Sequence, residues 1–462
     1  MFETLFNPKN IAVIGASSKT ESVGYGVMKG LLQGFVMNSG YGRPFSGKIF
    51  PVNPNLERVM SLECFKTVLD VKENIDLAVI CVPAAIVPNI LTQCGKKGIK
   101  NAVIISAGFA EIGVKGKELQ EKMALTALKY KINILGPNCL GFLRPSTGLN
   151  VSFALTSPAP GSIAFITQSG ALADSVIDWA VKERYSFSAI VSVGNSALLD
   201  SSDFIEWAGE DPFTKVITAY IEGINEGKKF MDVLSKVSKK KPVIILKGGR
   251  TENGSRAAGS HTASLGGNTR VFETAVIQSG GILADSVEDL FDFAKVLSEQ
   301  PMLKENAVAV VTNSGAGGVL CADYCERYNI KLVEFKNETL KKLDSTKLMS
   351  PVYSRRNPLD IVGDALPATF NAAITTLLQE NYISGLFVIQ TIQTMTQPVA
   401  DAEVVIEAFK KFKKPIICVF MGGKFSSKAV NTLQNNGIPD FNDVKKAVKA
   451  MSLLSGNKGK II

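Results

Sequence analysis

The sequence predicts an α/β protein with parallel sheets, organised in about three domains of which two are copies of one another. Three observations carry this. Short apolar runs rich in Val, Ile and Ala recur along the chain, each ending in Gly, Ser or Pro and followed by a stretch with helical periodicity. The runs are continuous rather than alternating, the mark of strands buried on both faces by helices on either side of a parallel sheet. The 462 residues, at roughly 100–200 per domain, provide for three cores of ordinary size.

In chain order the strand candidates are Ile11–Ile14, Gly47–Pro54, Leu77–Val82, Ala102–Ser106, Ile163–Thr167, Val216–Ile221, Val243–Leu246, Ala307–Thr312, Leu386–Gln390 and Ile416–Phe420. An internal repeat relates the later ones: Ala164–Ala171 (AFITQSGA) matches Ala309–Ala316 (AVVTNSGA), and Lys241–Arg250 matches Lys414–Lys424 with a one-residue offset. Two copies of one domain follow. The Pro/Ser stretch Ser157–Gly161 and the polar Glu299–Asn306 precede those copies. Boundaries near 146 and 300 give domains 1–145, 146–300 and 301–462.

Composition narrows the function. Fifty-one Lys+Arg against 42 Asp+Glu leave +9, with 46% hydrophobic and 20% charged residues, which excludes a disordered, collagen-like or disulfide-stapled chain. The densest basic stretch, Lys239–Lys241, reads as a solvated helix end, so nucleic-acid binding is not expected. A small anion would still gain from the positive field. Seven cysteines, an odd number without CxxC spacing, read as buried free thiols in a reducing compartment. Met1–Pro8 lacks signal-peptide character and no apolar run reaches about 18 residues; a cytoplasmic protein without membrane association is expected.

Candidate sites lie at strand ends. Asn10–Ser18 is a strand running into the small-residue turn Gly15-Ala16-Ser17-Ser18, with Gly24, Gly26 and Gly30 following. Small side chains let backbone N–H groups approach a phosphate at a helix start; the less favoured reading is that Gly15 makes only a tight turn. GxGxxG is absent, and the second strand ends in Asn53-Pro54 where an NAD site needs an acid. An NAD-dependent oxidoreductase is therefore disfavoured, and Lys48 could neutralise an additional phosphate. The turns Cys81-Val82-Pro83, Ser106–Phe109 and Gly136–Gly141 should cluster on one sheet edge as a groove.

His261 is the single histidine, set in the Gly/Ala/Ser-rich stretch Gly248–Gly267. A single histidine excludes multi-His metal sites. A neutral imidazole is a good nucleophile, while a surface histidine in a pliant loop fits as well. Gln168-Ser169-Gly170 and Asn313-Ser314-Gly315 are strand-to-helix turns whose free N–H groups and dipole could hold a phosphoryl group; each alone reads more simply as an N-cap. Glu222 ends a buried strand, where it either partners the imidazole or is a plain strand-end acid. No GxxxxGK[ST] and no GxSxG occurs, so there is neither a P-loop nor a hydrolase elbow.

As a set in this order, Ile14–Ser18 (IGASS), Phe50–Pro54 (FPVNP), Leu135–Gly141 (LGPNCLG), Thr167–Ala171 (TQSGA), Ser192–Asn195 (SVGN) and Ser260–Gly267 (SHTASLGG) resemble the α subunits of the NDP-forming acyl-CoA synthetases, relatives of succinyl-CoA synthetase. Ala263 and Gly266 depart from the common pattern by small-for-small exchange. The resemblance covers nearly the whole chain. It implies an N-terminal Rossmann-like CoA-binding domain followed by two flavodoxin-like domains. It also implies conversion of acyl-CoA, phosphate and ADP to free acid, CoA and ATP, through an acyl phosphate and a phosphohistidine. By that matching His261 is phosphorylated and Glu222 steadies it. Gln168, Ser169, Gly170, Asn313, Ser314 and Gly315 hold phosphate; Gly15, Ala16, Ser17, Ser18, Lys48, Val82, Pro83, Ser106, Ala107 and Gly108 lie along coenzyme A. No ATP-grasp domain is recognisable, so the resemblance implies a separate ATP-grasp β subunit in an α2β2 enzyme, with Mg2+ accompanying ADP or ATP there. A CoA-binding regulatory module without ligase chemistry is the alternative, and it would have no need for His261, Glu222 and both Ser-Gly turns.

Overall fold

All ten apolar runs are strands in the computed structural model, which describes residues 2–38, 40–254, 256 and 269–456. Asn10–Ile14, Leu77–Ile80, Asn101–Ile104, Val216–Ile221, Val243–Lys247, Val308–Thr312, Gly385–Thr391 and Ile416–Met421 are buried at nearly every position. Their pairing is parallel throughout. The described chain forms two compact units, Met1–Leu290 and Phe291–Ile462.

The first unit holds two sheets. One is ordered Lys48–Val52, Asn10–Ile14, Leu77–Ile80, Asn101–Ile104, Asn133–Leu135. A single parallel bridge from Val52 to Phe65 supplies the stub of a further strand outside Lys48–Val52. The order is then 3-2-1-4-5-6, that of dinucleotide-binding folds. In the other sheet Ile282–Ala284, Val243–Lys247, Val216–Ile221, Ala159–Thr167 and Ser186–Ser192 run parallel, the flavodoxin-like order 2-1-3-4-5 read from its other edge. The antiparallel hairpin Gly141–Arg144/Leu149–Ser152 extends this sheet beyond Ser186–Ser192. The expected division at 145/146 thus falls inside a hairpin belonging to the second sheet.

In the second unit Leu359–Asp360, Val308–Thr312, Gly385–Thr391 and Ile416–Met421 form a parallel sheet. Bridges from Val308 to Leu332 and from Cys418 to Asp440 complete the same 2-1-3-4-5 order with shortened edges. The repeat seen in sequence is therefore a repeat of fold.

Three of the glycines after the first strand do something other than open a phosphate loop. Helix Val23–Gln33 starts at Ser22, whose Oγ accepts the Tyr25 N–H at 3.2 Å. A Cβ on Gly24 would lie 2.0 Å from the Gly15 carbonyl oxygen. One on Gly26 would lie 2.6 Å from Phe153 Cβ, and one on Gly30 2.9 Å from the Ser152 carbonyl oxygen. Gly24 seats the helix against the turn, and Gly26 and Gly30 let it lie flush on the hairpin of the neighbouring sheet.

Candidate functional site

Strand ends of both sheets of the first unit converge on a cavity of about 660 Å³. From the first sheet come Cys81, Val82, Ser106, Ala107, Asn138, Cys139 and Leu140; from the second come Gln168, Ser169, Gly170, Gly194, Asn195 and Glu222. The walls are mostly apolar with a few converging polar groups, the usual make-up of a ligand site.

Of the residues expected along coenzyme A, Val82, Ser106 and Ala107 line the cavity, whereas Gly15, Ala16, Ser17, Ser18 and Gly108 do not. The turn Gly15–Ser18 is fixed by local backbone chemistry. Gly15 (φ +93°) turns out of the first strand where a Cβ would lie 2.4 Å from the Cys81 carbonyl oxygen, so no other residue fits there. Asn53 donates its side-chain amide to the Ala16 carbonyl at 2.9 Å, and Ser17 Oγ accepts the Lys19 N–H at 3.0 Å. Ser18 is exposed, its Oγ 3.4 Å from the Met60 N–H. Ser106 Oγ donates to the Val82 carbonyl at 2.5 Å, tying adjacent strand ends together. Pro83 opens the 3-10 turn Ala84–Ile86 and is not among the residues lining the cavity.

Lys48 is not brought to this group. It pairs with Asn10 at the start of its strand, the N-terminal edge of the sheet, about 13 Å of strand away from Val52 and the Gly15 turn. Lys48 was expected beside a phosphate as the cation of the second strand, and the resemblance agreed; strand polarity puts it at the opposite edge.

The two Ser-Gly turns are built alike, bond for bond. In the first, Ser169 Oγ accepts the Leu172 N–H at 3.2 Å, the Ser169 N–H donates to Thr167 Oγ1 at 3.0 Å, and Thr167 Oγ1 donates to the Ser169 carbonyl at 3.2 Å. In the second, Ser314 Oγ accepts the Gly317 N–H at 3.4 Å, the Ser314 N–H donates to Thr312 Oγ1 at 2.9 Å, and Thr312 Oγ1 donates to the Ser314 carbonyl at 3.0 Å. The preceding amides are splints between strand ends. Gln168 Oε1 accepts the N–H groups of Glu222 and Gly223 at 2.6 and 3.0 Å, while its Nε2 donates to the Gly223 carbonyl at 2.8 Å. Asn313 Oδ1 accepts the Thr391 N–H at 2.7 Å, and its Nδ2 donates to the Thr391 carbonyl at 3.1 Å. Helices Gly170–Glu183 and Gly315–Arg327 follow these turns and keep free N–H groups in their first turn. The copies differ at one point. A Cβ on Gly315 would lie 3.2 Å from Asp360 Oδ2, whereas the equivalent neighbour of Gly170 is Ser192 Oγ at 3.7 Å. A carboxylate beside the second tip competes with any anion for its positive end.

Glu222 faces the cavity beside the first tip. Tyr220 donates its hydroxyl to Glu222 Oε1 at 3.2 Å, and burial together with that carboxylate pushes the phenol up to about 12, so it remains a donor at neutral pH. The Lys247 ammonium donates to the Glu222 carbonyl at 2.8 Å and to the Gly248 carbonyl. Burial draws its pKa down, with the Glu222 carboxylate opposing. Asp174, one turn into the helix after Ser169, also lines the cavity, and burial raises its pKa. The Cys81 and Cys139 thiols line it too; burial raises both, Cys139 to about 12, so they are inert as nucleophiles. His261 lies outside the described residues.

Asn138, Asn195 and Asp174 are wall residues that the reading of the sequence did not single out. Signals existed for two of them: Asn138 follows Pro137 in the turn Gly136–Gly141, already read as part of the groove, and Asn195 follows Gly194 in the motif Ser192–Asn195. Among the described residues no three His, Cys, Asp or Glu side chains gather as a metal site, and no helix is long and apolar enough to cross a membrane.

Comparison with known proteins places this geometry. Three family models match in sequence: a CoA binding domain over residues 9–145, a succinyl-CoA ligase like flavodoxin domain over 160–297, and a ligase-CoA domain over 308–456. The α subunit of acetate–CoA ligase (ADP-forming) I of Pyrococcus furiosus is 38% identical across 98% of this chain and 96% of its own length. The chain belongs to the ADP-forming acetate–CoA ligase family. Acetate–CoA ligase (ADP-forming) I of Archaeoglobus fulgidus is 40% identical over 98% of this chain, which spans 63% of that protein's length. The dinucleotide-forming acetyl-coenzyme A synthetase 1 of Ca. Korarchaeum cryptofilum, solved with phosphate and ADP, superposes with a TM-score of 0.92 at 37% identity, covering 98% of this chain and 96% of that one. The parallel sheets and flavodoxin-like order described above are those of this ligase family.

Proposed function

We propose that the chain is the α subunit of an ADP-forming acetyl-CoA synthetase, an acid–thiol ligase. Acetyl-CoA and phosphate give acetyl phosphate and free CoA; the phosphoryl group passes to His261, releasing acetate, and then to ADP, forming ATP. The observation that carries this reading is one cavity in which Val82, Ser106 and Ala107 meet Ser169, Gly170 and Glu222. A thioester lying along the first-sheet turns would place its carbonyl near a helix start able to hold phosphate. In this assignment Gly15, Ala16, Ser17, Ser18, Val82, Pro83, Ser106, Ala107 and Gly108 serve CoA, while Gln168, Ser169 and Gly170 serve phosphate. Asn313, Ser314 and Gly315 provide the second phosphate tip. Glu222 accepts a ring N–H of His261 and balances its charge. Three domains, expected at 1–145, 146–300 and 301–462, divide these tasks, with the hairpin Gly141–Ser152 going to the second.

The nucleotide belongs to a partner. The α-subunit designation of the Pyrococcus furiosus relative supports a separate ATP-grasp β subunit, assembled as α2β2, holding ADP or ATP with Mg2+ in the cytoplasm. Co-expression of this chain with its ATP-grasp partner should give ATP from acetyl-CoA, ADP and phosphate, and neither chain alone should do so. ATP formation equally fast without this chain, or none from the pair, contradicts the assignment.

A further inference from the structure

We propose that Glu111 is a positioning residue of the cleft. Its carboxylate fixes the direction of the Asn195 amide and, through it, that of Asn138, whose side-chain carbonyl then receives an amide N–H of the pantetheine arm of a CoA thioester. The inference rests on reading the cavity as the thioester site and adds to it a recognition element outside the cavity wall.

Glu111 sits in the short turn Ala110–Ile112. Its Oε1 accepts the N–H groups of Gly108 and Phe109 at 2.6 and 3.2 Å, and its Oε2 accepts Asn195 Nδ2 at 2.6 Å. The same Nδ2 donates to Gln120 Oε1 at 3.0 Å. An ionised carboxylate only accepts and an amide nitrogen only donates, so the Asn195 amide cannot be turned around. Its Oδ1 must face Asn138 Nδ2, which donates to it at 3.2 Å. Burial pulls the Glu111 carboxyl upward, but the N–H groups of Gly108, Asn195 and Phe109 outweigh it and hold the group below its usual range. It is therefore an acceptor throughout the neutral region.

The backbone locks the same assembly. The Asn138 N–H donates to the Ser106 carbonyl at 2.9 Å and the Asn195 N–H to the Pro137 carbonyl at 2.9 Å, holding Asn138 at φ +56°, a conformation retained only where surroundings over-determine it. One carboxylate thus braces three loops that end strands of two sheets. Asn138 and Asn195 line the cavity. With Asn138 Nδ2 donating one hydrogen to Asn195 Oδ1, the orientation of the amide is set and its side-chain carbonyl oxygen is the acceptor it offers a ligand. An acceptor in an apolar wall suits the secondary amides of pantetheine, which are far from the reacting carbonyl. Binding energy gained there is shared by ground and transition states and appears in KM.

The test exchanges donors and acceptors. Glu111→Gln retains size but sets an amide N–H against Asn195 Nδ2, forcing the Asn195 amide to turn and presenting the wrong face to Asn138. In the enzyme assembled with its ATP-grasp partner, Glu111→Gln should raise the KM for acetyl-CoA about tenfold with kcat within about threefold. Phosphorylation by acetyl phosphate, which has no pantetheine, should be unchanged. Adding Asn195→Asp supplies carboxylate oxygens that accept from both the new amide at position 111 and Asn138 Nδ2, and should return KM to within about threefold of wild type. An unchanged KM in the single variant, or a loss that the second substitution does not repair while acetyl phosphate labelling also falls, overturns the proposal. A wild-type chain that fails to bind CoA in a direct titration overturns the reading of the cavity itself.

Discussion

Two carboxylates, Asp401 buried and Asp440 partly buried, make the second unit sensitive to pH one side chain at a time. Asp401 is fully buried; burial pushes it up to about 7 against a weaker opposing pull from the Gln390 amide. Asp440 is raised to about 8 by burial, with the Phe420 N–H and Lys295 opposing. Both folded values lie above the unfolded carboxylate value of about 3.9, so the folded state holds protons that the unfolded state releases. The associated stability is fully present below about pH 4 and is lost as pH rises through about 7 to 8. Thermal melts should therefore fall between about pH 5 and about pH 8.5. Asp401→Asn, which carries no charge at any pH, should flatten that fall and raise the midpoint at about pH 8.5 by about 2–4 °C. An identical pH slope in wild type and variant would count against buried ionisation at this position.

Among the elements, the duplicated turns are the units that carry sequence into structure. Thr167-Gln-Ser169-Gly and Thr312-Asn-Ser314-Gly repeat the same three hydrogen bonds, because a Thr at the strand end and a Ser at the cap satisfy donors the helix cannot. Ser169→Ala should destabilise the first unit by about 1 kcal/mol, read as a shift in urea midpoint at constant slope; no shift would mean that the cap is replaced by water. This level was largely legible in the sequence, since strands buried on both faces read as unbroken Val/Ile/Ala runs. Ser186–Ser192 escaped because serines at 186, 188 and 192 interrupt its apolar run, and the hairpin Gly141–Ser152 escaped because its strands are four residues each. Of the candidate site, Val82, Ser106, Gln168, Ser169 and Glu222 could be found because parallel strands bring their carboxyl ends to one edge. Lys48 was misplaced by the same rule left unapplied, since it begins its strand. Glu111 could not be found at all: its partners Gly108 and Asn195 meet only through the packing of two sheets, which no local pattern encodes.

At the scale of the first unit, a buried ion pair ties the hairpin to the end of helix Ser201–Glu210 and to the N-terminal segment. Arg144, in the hairpin, donates Nη2 to Asp211 Oδ1 at 2.8 Å and Nη1 to Asn7 Oδ1 at 3.1 Å, and lies over the rings of Trp207 and Phe213. Both side chains of the pair are nearly inaccessible, at 2% and 3%, so removing one partner strands a buried charge, which costs about 3–5 kcal/mol. Arg144→Met should lower the urea midpoint of the first unit accordingly, and a variant as stable as wild type would show that Asp211 finds other donors. The pair lies where strands begin, Asp211 ahead of Val216–Ile221 and Asn7 ahead of Asn10–Ile14, whereas the cavity is lined by turns at the opposite, strand-end edge. The proposed function stands or falls with a single imidazole that takes a phosphoryl group from the acyl phosphate made in that cavity. Incubation of the purified chain with 32P-labelled acetyl phosphate decides the matter. Acid-labile, base-stable label should appear on the wild-type chain and vanish from His261→Asn; label of equal amount on the variant would refute the phosphohistidine.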